Sequence, residues 1–131
     1  MKKIVMILAA VGLIGGLIWL GIVNNSSHTV KSLTFATVQS DVAGGARLYD
    51  VRTAEEYGAG HFDGALNWSL QDMQAGKLPN VPKDSKIFVY CHSGNRSGQA
   101  TALLKSAGYT NVTDLHGLTS VEAIGGKLTT Q

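Results

Sequence analysis

The chain has 131 residues, room for one domain and a short appendage. Its net charge of +2 is accounted for by Lys2 and Lys3, because the rest of the chain holds nine basic and nine acidic residues with no basic run. That balance excludes an electrostatic nucleic-acid binder, and no nucleic acid is expected as a partner.

The appendage comes first. Lys2 and Lys3 precede an uninterrupted apolar run, Ile4 to Val23, which stops at the polar string Asn24-Asn25-Ser26-Ser27. Twenty residues at helical rise span about 30 Å, the thickness of a bilayer core. No face of the run is polar, which argues against a buried helix of a soluble domain. The long core and the lack of a good small-x-small cleavage site favour an uncleaved signal-anchor over a removed signal peptide. The expected organisation is a transmembrane or signal helix over residues 1–25, a linker over 26–33 and a domain over 34–131. Lys2 and Lys3 favour the cytoplasmic side, and Trp19 suits the outer interface. The domain is therefore expected on the periplasmic face of a bacterial inner membrane. A soluble periplasmic form after signal cleavage is the alternative.

Beyond the linker, Leu33-Thr34-Phe35 reads as a short edge strand, and Thr37 to Ala43 has weak helical spacing before Gly44-Gly45 breaks it. Arg47 to Val51 is apolar and aromatic, as a buried strand should be. Thr53 with Glu56 three residues on forms a capping box that opens a short helix to about Ala59. Gly64 to Trp68 predicts another strand, and Ser69 to Ala75 a helical turn. Lys86 to Tyr90 is the clearest strand, β-branched and aromatic, and it runs straight into Cys91. Ala100, Leu103, Leu104 and Ala107 share one helical face, with Gly108 placed as a left-handed C-terminal cap. Val112 to Leu115 predicts a strand and Ser120 to Ile124 a last short helix. This alternation predicts an α/β domain with a central, mostly parallel sheet flanked by helices. Ligands in such sheets bind at the carboxyl ends of strands, and Cys91 stands at one.

Cys91 is the chain's one cysteine, so an internal disulfide is impossible. A thiol is nucleophilic only as thiolate, and a free one has a pKa near 8.5. A strand ends at Cys91, a loop His92-Ser93-Gly94-Asn95-Arg96-Ser97 follows, and a helix begins within it. A tight loop of this kind turns backbone N–H groups into its own centre. The helix N-terminus adds partial positive charge, and Arg96 adds a full one. The arrangement predicts an exposed thiol of lowered pKa in a cradle for an anion. A sulfur facing inward among hydrocarbon side chains would remove the basis for that reading.

Cys91 to Ala100 resembles the active-site loop and helix start of the single-domain rhodanese family. So does the upstream pair of strings, Asp50-Val51-Arg52-Thr53-Ala54-Glu55-Glu56-Tyr57 and Gly60-His61-Phe62-Asp63-Gly64-Ala65-Leu66-Asn67. The resemblance runs from about Phe35 to Gly117 and is strongest with small exported or membrane-anchored bacterial members. It implies a rhodanese-like domain and sulfane-sulfur transfer. Cys91 would take sulfur from thiosulfate or a similar small anionic donor, carry it as a persulfide, and pass it to cyanide, a thiol or a protein acceptor. The backbone of His92 to Ser97 would hold the persulfide, and Arg96 would help bind the donor. No metal or organic cofactor is implied, and the histidine and cysteine spacings do not suggest a zinc site. In one place the chain departs from the family: Leu115-His116-Gly117-Leu118 has a single glycine and no tryptophan, which bears on substrate choice.

Two other readings stand beside this one. A non-catalytic rhodanese fold would bind or sense sulfur or redox state for a partner. A Cys-dependent phosphatase or arsenate reductase would use a phosphate loop of Cys-x5-Arg, whereas Cys91 and Arg96 are separated by four residues. Supporting positions are Asp50, expected to bond nearby backbone; Arg52 and Glu55, spaced to pair with each other; and His61, expected as a satisfied turn residue. His92 is expected to face solvent, and His116 is a candidate for the pocket wall.

Overall fold

The computed structural model describes residues 32–131, so the apolar run Ile4–Val23 lies outside the described residues. Among the described residues, no helix is long and apolar enough to cross a membrane. The elements in chain order are α1 (Phe35–Ala43), β1 (Arg47–Asp50), α2 (Ala54–Ala59), β2 (His61–Phe62), β3 (Ala65–Asn67), α3 (Leu70–Gln74), β4 (Ile87–Tyr90), α4 (Asn95–Ser106), β5 (Val112–Asp114), α5 (Leu118–Ala123) and β6 (Leu128–Thr129).

Four strands form a parallel sheet in the order β3-β1-β4-β5. All four residues of β4 are buried, as expected of a central parallel strand covered on both faces. Strand parity divides the interior. Leu48, Phe88 and Tyr90 point to one face and pack with Phe35 and Val38 of α1 and Val121 of α5. Tyr49, Ile87 and Val89 point to the other and pack with Leu70 and Met73 of α3 and Ala100 and Leu104 of α4. Cys91 keeps the parity of Ile87 and Val89, so its side chain lies on the α3–α4 face.

Short local signals set the helix starts. Thr53 and Glu56 make the expected reciprocal cap at α2, each bond 3.2 Å. Ser69 caps α3 by accepting from the Asp72 N–H. Gly108, with φ +96°, follows the α4 C-cap residue Ala107 in the left-handed conformation expected there. The Leu33–Phe35 edge strand is not formed. Thr34 instead caps α1, its hydroxyl accepting from the Thr37 N–H and the Thr37 hydroxyl accepting from the Thr34 N–H. That box uses threonine at its third helical position rather than Glu or Gln, so the sequence pattern did not reveal it. The antiparallel pair β2–β6 was also unanticipated. Its two-residue strands are too short to carry a periodicity.

Candidate functional site

Cys91 follows the last residue of β4, and three segments converge on it. The first is its own loop. Gly94 has φ +99° and is the N-cap residue of α4, where it makes no side-chain cap hydrogen bond. A residue with a Cβ would be strained at that φ. The turn brings the Gly94 N–H to 3.0 Å from Cys91 Sγ. Ser97, fully buried one turn into α4, places its Oγ 3.4 Å from the same sulfur. The Ser97 hydroxyl also lies 3.1 Å from the Gly94 carbonyl and 3.4 Å from the His116 carbonyl. Its proton can therefore point to a carbonyl when the sulfur is a thiol and to the sulfur when it is a thiolate.

The expected solvent exposure of Cys91 is not observed. The residue has no exposed surface and belongs to the α3–α4 apolar cluster. Parity explains this, because the side chain continues the buried row of Ile87 and Val89. The sulfur is nevertheless not surrounded by hydrocarbon alone, since its loop side meets hydrogen-bond donors. Burial pushes the thiol pKa up. Hydrogen bonds from the Ser97 hydroxyl and backbone, and from the Gly94 and Ser93 backbone, pull it down and prevail, leaving it below the ordinary cysteine value. The loop thus acts on the sulfur through Ser93, Gly94 and Ser97. His92 and Asn95 are exposed.

The second segment braces the loop from behind. The Cys91 N–H donates to the His116 carbonyl at 2.9 Å, and the Leu118 N–H to the His92 carbonyl at 3.0 Å. Gly117 lies so close that a Cβ there would sit 2.6 Å from the His92 oxygen and 2.9 Å from Ser93 Cα. His116 has φ +67°, uncommon for a residue with a side chain. The Asp114 carboxylate holds it there by accepting from the His116 N–H at 2.8 Å. The His116 side chain is two-thirds exposed, so this residue contributes to the loop through its carbonyl.

The third segment is the end of β1 and the turn into α2. Asp50 is fully buried. It accepts from the Arg52 N–H at 3.0 Å, from Arg52 Nε at 2.9 Å and Nη2 at 2.6 Å, and from the Tyr90 hydroxyl at 2.9 Å. Arg52 Nη2 also donates to the Gly60 carbonyl at 2.6 Å. The expected Arg52–Glu55 pair is absent, because Arg52 turns inward to Asp50 and Glu55 is exposed. Burial, then the charge of Asp50, raises the Tyr90 hydroxyl well above its ordinary pKa, so it stays a donor. His61 is buried, stacks on Tyr57 at 3.8 Å and donates from Nδ1 to the Tyr57 carbonyl at 2.9 Å. Its ring is satisfied as expected, but the residue lies in β2, paired with Thr129, rather than in a turn.

Arg96 is engaged as well. Its guanidinium donates from Nη1 and Nη2 to Glu56 at 2.8 and 3.1 Å, a two-pronged pair across to α2. Local spacing places Glu56 in the α2 cap alone, since spacing along the chain cannot reveal a partner 40 residues away. Beside this pair lies an open depression of about 550 Å³, lined by Val51, Thr53, Ser69, Leu70, Gln71 and Arg96 among others. Val51 and Leu70 belong to the same apolar cluster as Cys91.

Comparison with known proteins agrees with this geometry. Over 73 residues the chain is 38% identical to thiosulfate sulfurtransferase PspE of Escherichia coli, covering 55% of this chain and 70% of that protein. It is 42% identical over 78 residues to the adenylyltransferase and sulfurtransferase UBA4 of Saccharomyces cerevisiae, covering 52% of this chain but only 18% of that longer protein. Among solved structures, an E. coli rhodanese with anions superposes with a TM-score of 0.54 at 32% identity, over 66% of this chain and 99% of that one. The rhodanese-like domain model matches residues 34–119, which include the Asp50–Arg52 turn, the Cys91 loop and the Gly117 brace, and the chain belongs to the rhodanese-like domain family.

Proposed function

We propose that this chain is a thiosulfate-type sulfurtransferase whose nucleophile is Cys91. The observation that carries the reading is the Gly94 N–H at 3.0 Å from Sγ, at the open N-terminus of α4. These fixed dipoles stabilise negative charge on whichever sulfur occupies the loop. In the first step the Cys91 thiolate attacks the outer sulfur of thiosulfate. The new S–S bond forms as the bond to the sulfonate sulfur breaks, and sulfite leaves with that electron pair. Cys91 then bears a persulfide anion. In the second step cyanide or a thiolate attacks the terminal sulfur, and the Cys91 thiolate is restored as thiocyanate or a new persulfide departs. No net oxidation occurs. Two successive exchanges on one enzyme sulfur predict ping-pong kinetics.

The test is Cys91→Ser. Thiocyanate formation from thiosulfate and cyanide should fall to background, and intact mass after thiosulfate should show a one-sulfur adduct on the parent chain but not on the variant. A Cys91→Ser protein that keeps its turnover refutes the proposal. A second reading draws on the burial of Cys91. In that reading the domain carries sulfur for a partner, and thiosulfate leaves the adduct without appreciable turnover. For location, the reading is that Ile4–Val23 anchors the chain in a bacterial inner membrane with the domain in the periplasm. Resistance to alkaline extraction, with protease access from the periplasmic side, supports this. Recovery of a shortened soluble chain supports the cleaved form.

A further inference from the structure

We infer that Glu56 is a specificity-determining residue that competes with anionic sulfur donors for Arg96. This rests on the sulfurtransferase reading above and adds the group that sets donor preference. Arg96 is the cation of the Cys91 loop, yet both prongs of its guanidinium are taken by one carboxylate. The pair is partly open to water, with side-chain exposures of 31% for Arg96 and 39% for Glu56. It borders the depression that abuts the Cys91 cluster. Glu55, on the same helix, is exposed and adds a second negative charge on α2. A dianion arriving here meets no unengaged guanidinium. It must draw Arg96 away from Glu56 or bind without it. Exposed pairs of this kind are weak enough to exchange, so the carboxylate acts as a resident competitor rather than a permanent block. The N–H donors at the sulfur do not depend on Arg96, so the cost falls on donor binding and leaves sulfur transfer untouched.

Glu56→Gln isolates the charge, because glutamine in this position still accepts from the Thr53 N–H and completes the α2 cap. In the full chain, steady-state assays with thiosulfate and a neutral thiol acceptor such as mercaptoethanol should show KM for thiosulfate lower by about two- to fivefold. Both kcat and the KM of the thiol should stay near the parent values. Arg96→Gln should raise KM for thiosulfate, and adding Glu56→Gln to it should give little further change, since Glu56 acts through Arg96. An unchanged or raised thiosulfate KM in Glu56→Gln overturns the inference. So does an equal KM decrease in the Arg96→Gln background, which would mean a diffuse charge effect. Absence of any turnover in the parent chain fails the sulfurtransferase reading instead, so the two failures are distinct.

Discussion

At Cys91, burial and hydrogen bonding oppose each other, and the hydrogen bonds prevail. Most of the donors are backbone groups that no substitution removes, but the Ser97 hydroxyl can be deleted. A hydrogen bond to a charged group contributes about 1.5–3 kcal/mol. Ser97→Ala should therefore raise the thiolate titration midpoint by about one to two units, read by ultraviolet absorbance or alkylation rate against pH. A thiolate with a lowered pKa in the fold stabilises the fold fully above the unfolded-state value. That contribution is lost as pH falls through the folded-state value, so the variant should lose part of the alkaline stabilisation. An unchanged midpoint would mean the hydroxyl stays on the Gly94 and His116 carbonyls throughout.

At the scale of elements, the end of β1 is held by a buried ionic turn rather than by apolar packing. Asp50 accepts from four donor groups of Arg52 and Tyr90, and Arg52 ties the turn to Gly60 at the end of α2. Removing one partner of such a pair leaves a buried charge uncompensated, at about 3–5 kcal/mol. Arg52→Ala should lower urea stability by that amount, with a loss of activity that follows the unfolded fraction. Because α2 also presents Glu56, this turn positions the carboxylate that meets Arg96. A purely substrate-contacting Arg52 would instead show near-native stability with an altered thiosulfate KM.

At the scale of the molecule, two segments distant in sequence make one loop. The Cys91 turn and the His116–Leu118 turn share an isolated bridge between Ser93 and Gly117 and approach closely at glycine. Gly117→Ala forces a backbone shift, because the obstructing atoms are main chain on the opposite turn. The expected cost is about 1–3 kcal/mol, measured by chemical denaturation, together with reduced persulfide formation, since the His116 carbonyl that receives the Cys91 N–H moves too. An alanine variant of full stability and activity would show that the two turns move independently. Gly117, the one glycine of the Leu115–Leu118 string, is therefore a packing requirement of the loop.

The parallel α/β layout, the β4 strand running into Cys91, the α2 cap and the loop's donor-rich character were legible along the chain, because each depends on residues within a few positions of one another. Hydrophobic parity, cap spacing and a left-handed glycine are local properties. The Asp50–Arg52 partnership, the capture of Arg96 by Glu56 and the close contact at Gly117 were decided only by the tertiary structure. In each, local spacing left the partner open. The winner was fixed by which strand face, helix end or second turn the fold brought within hydrogen-bonding or van der Waals reach.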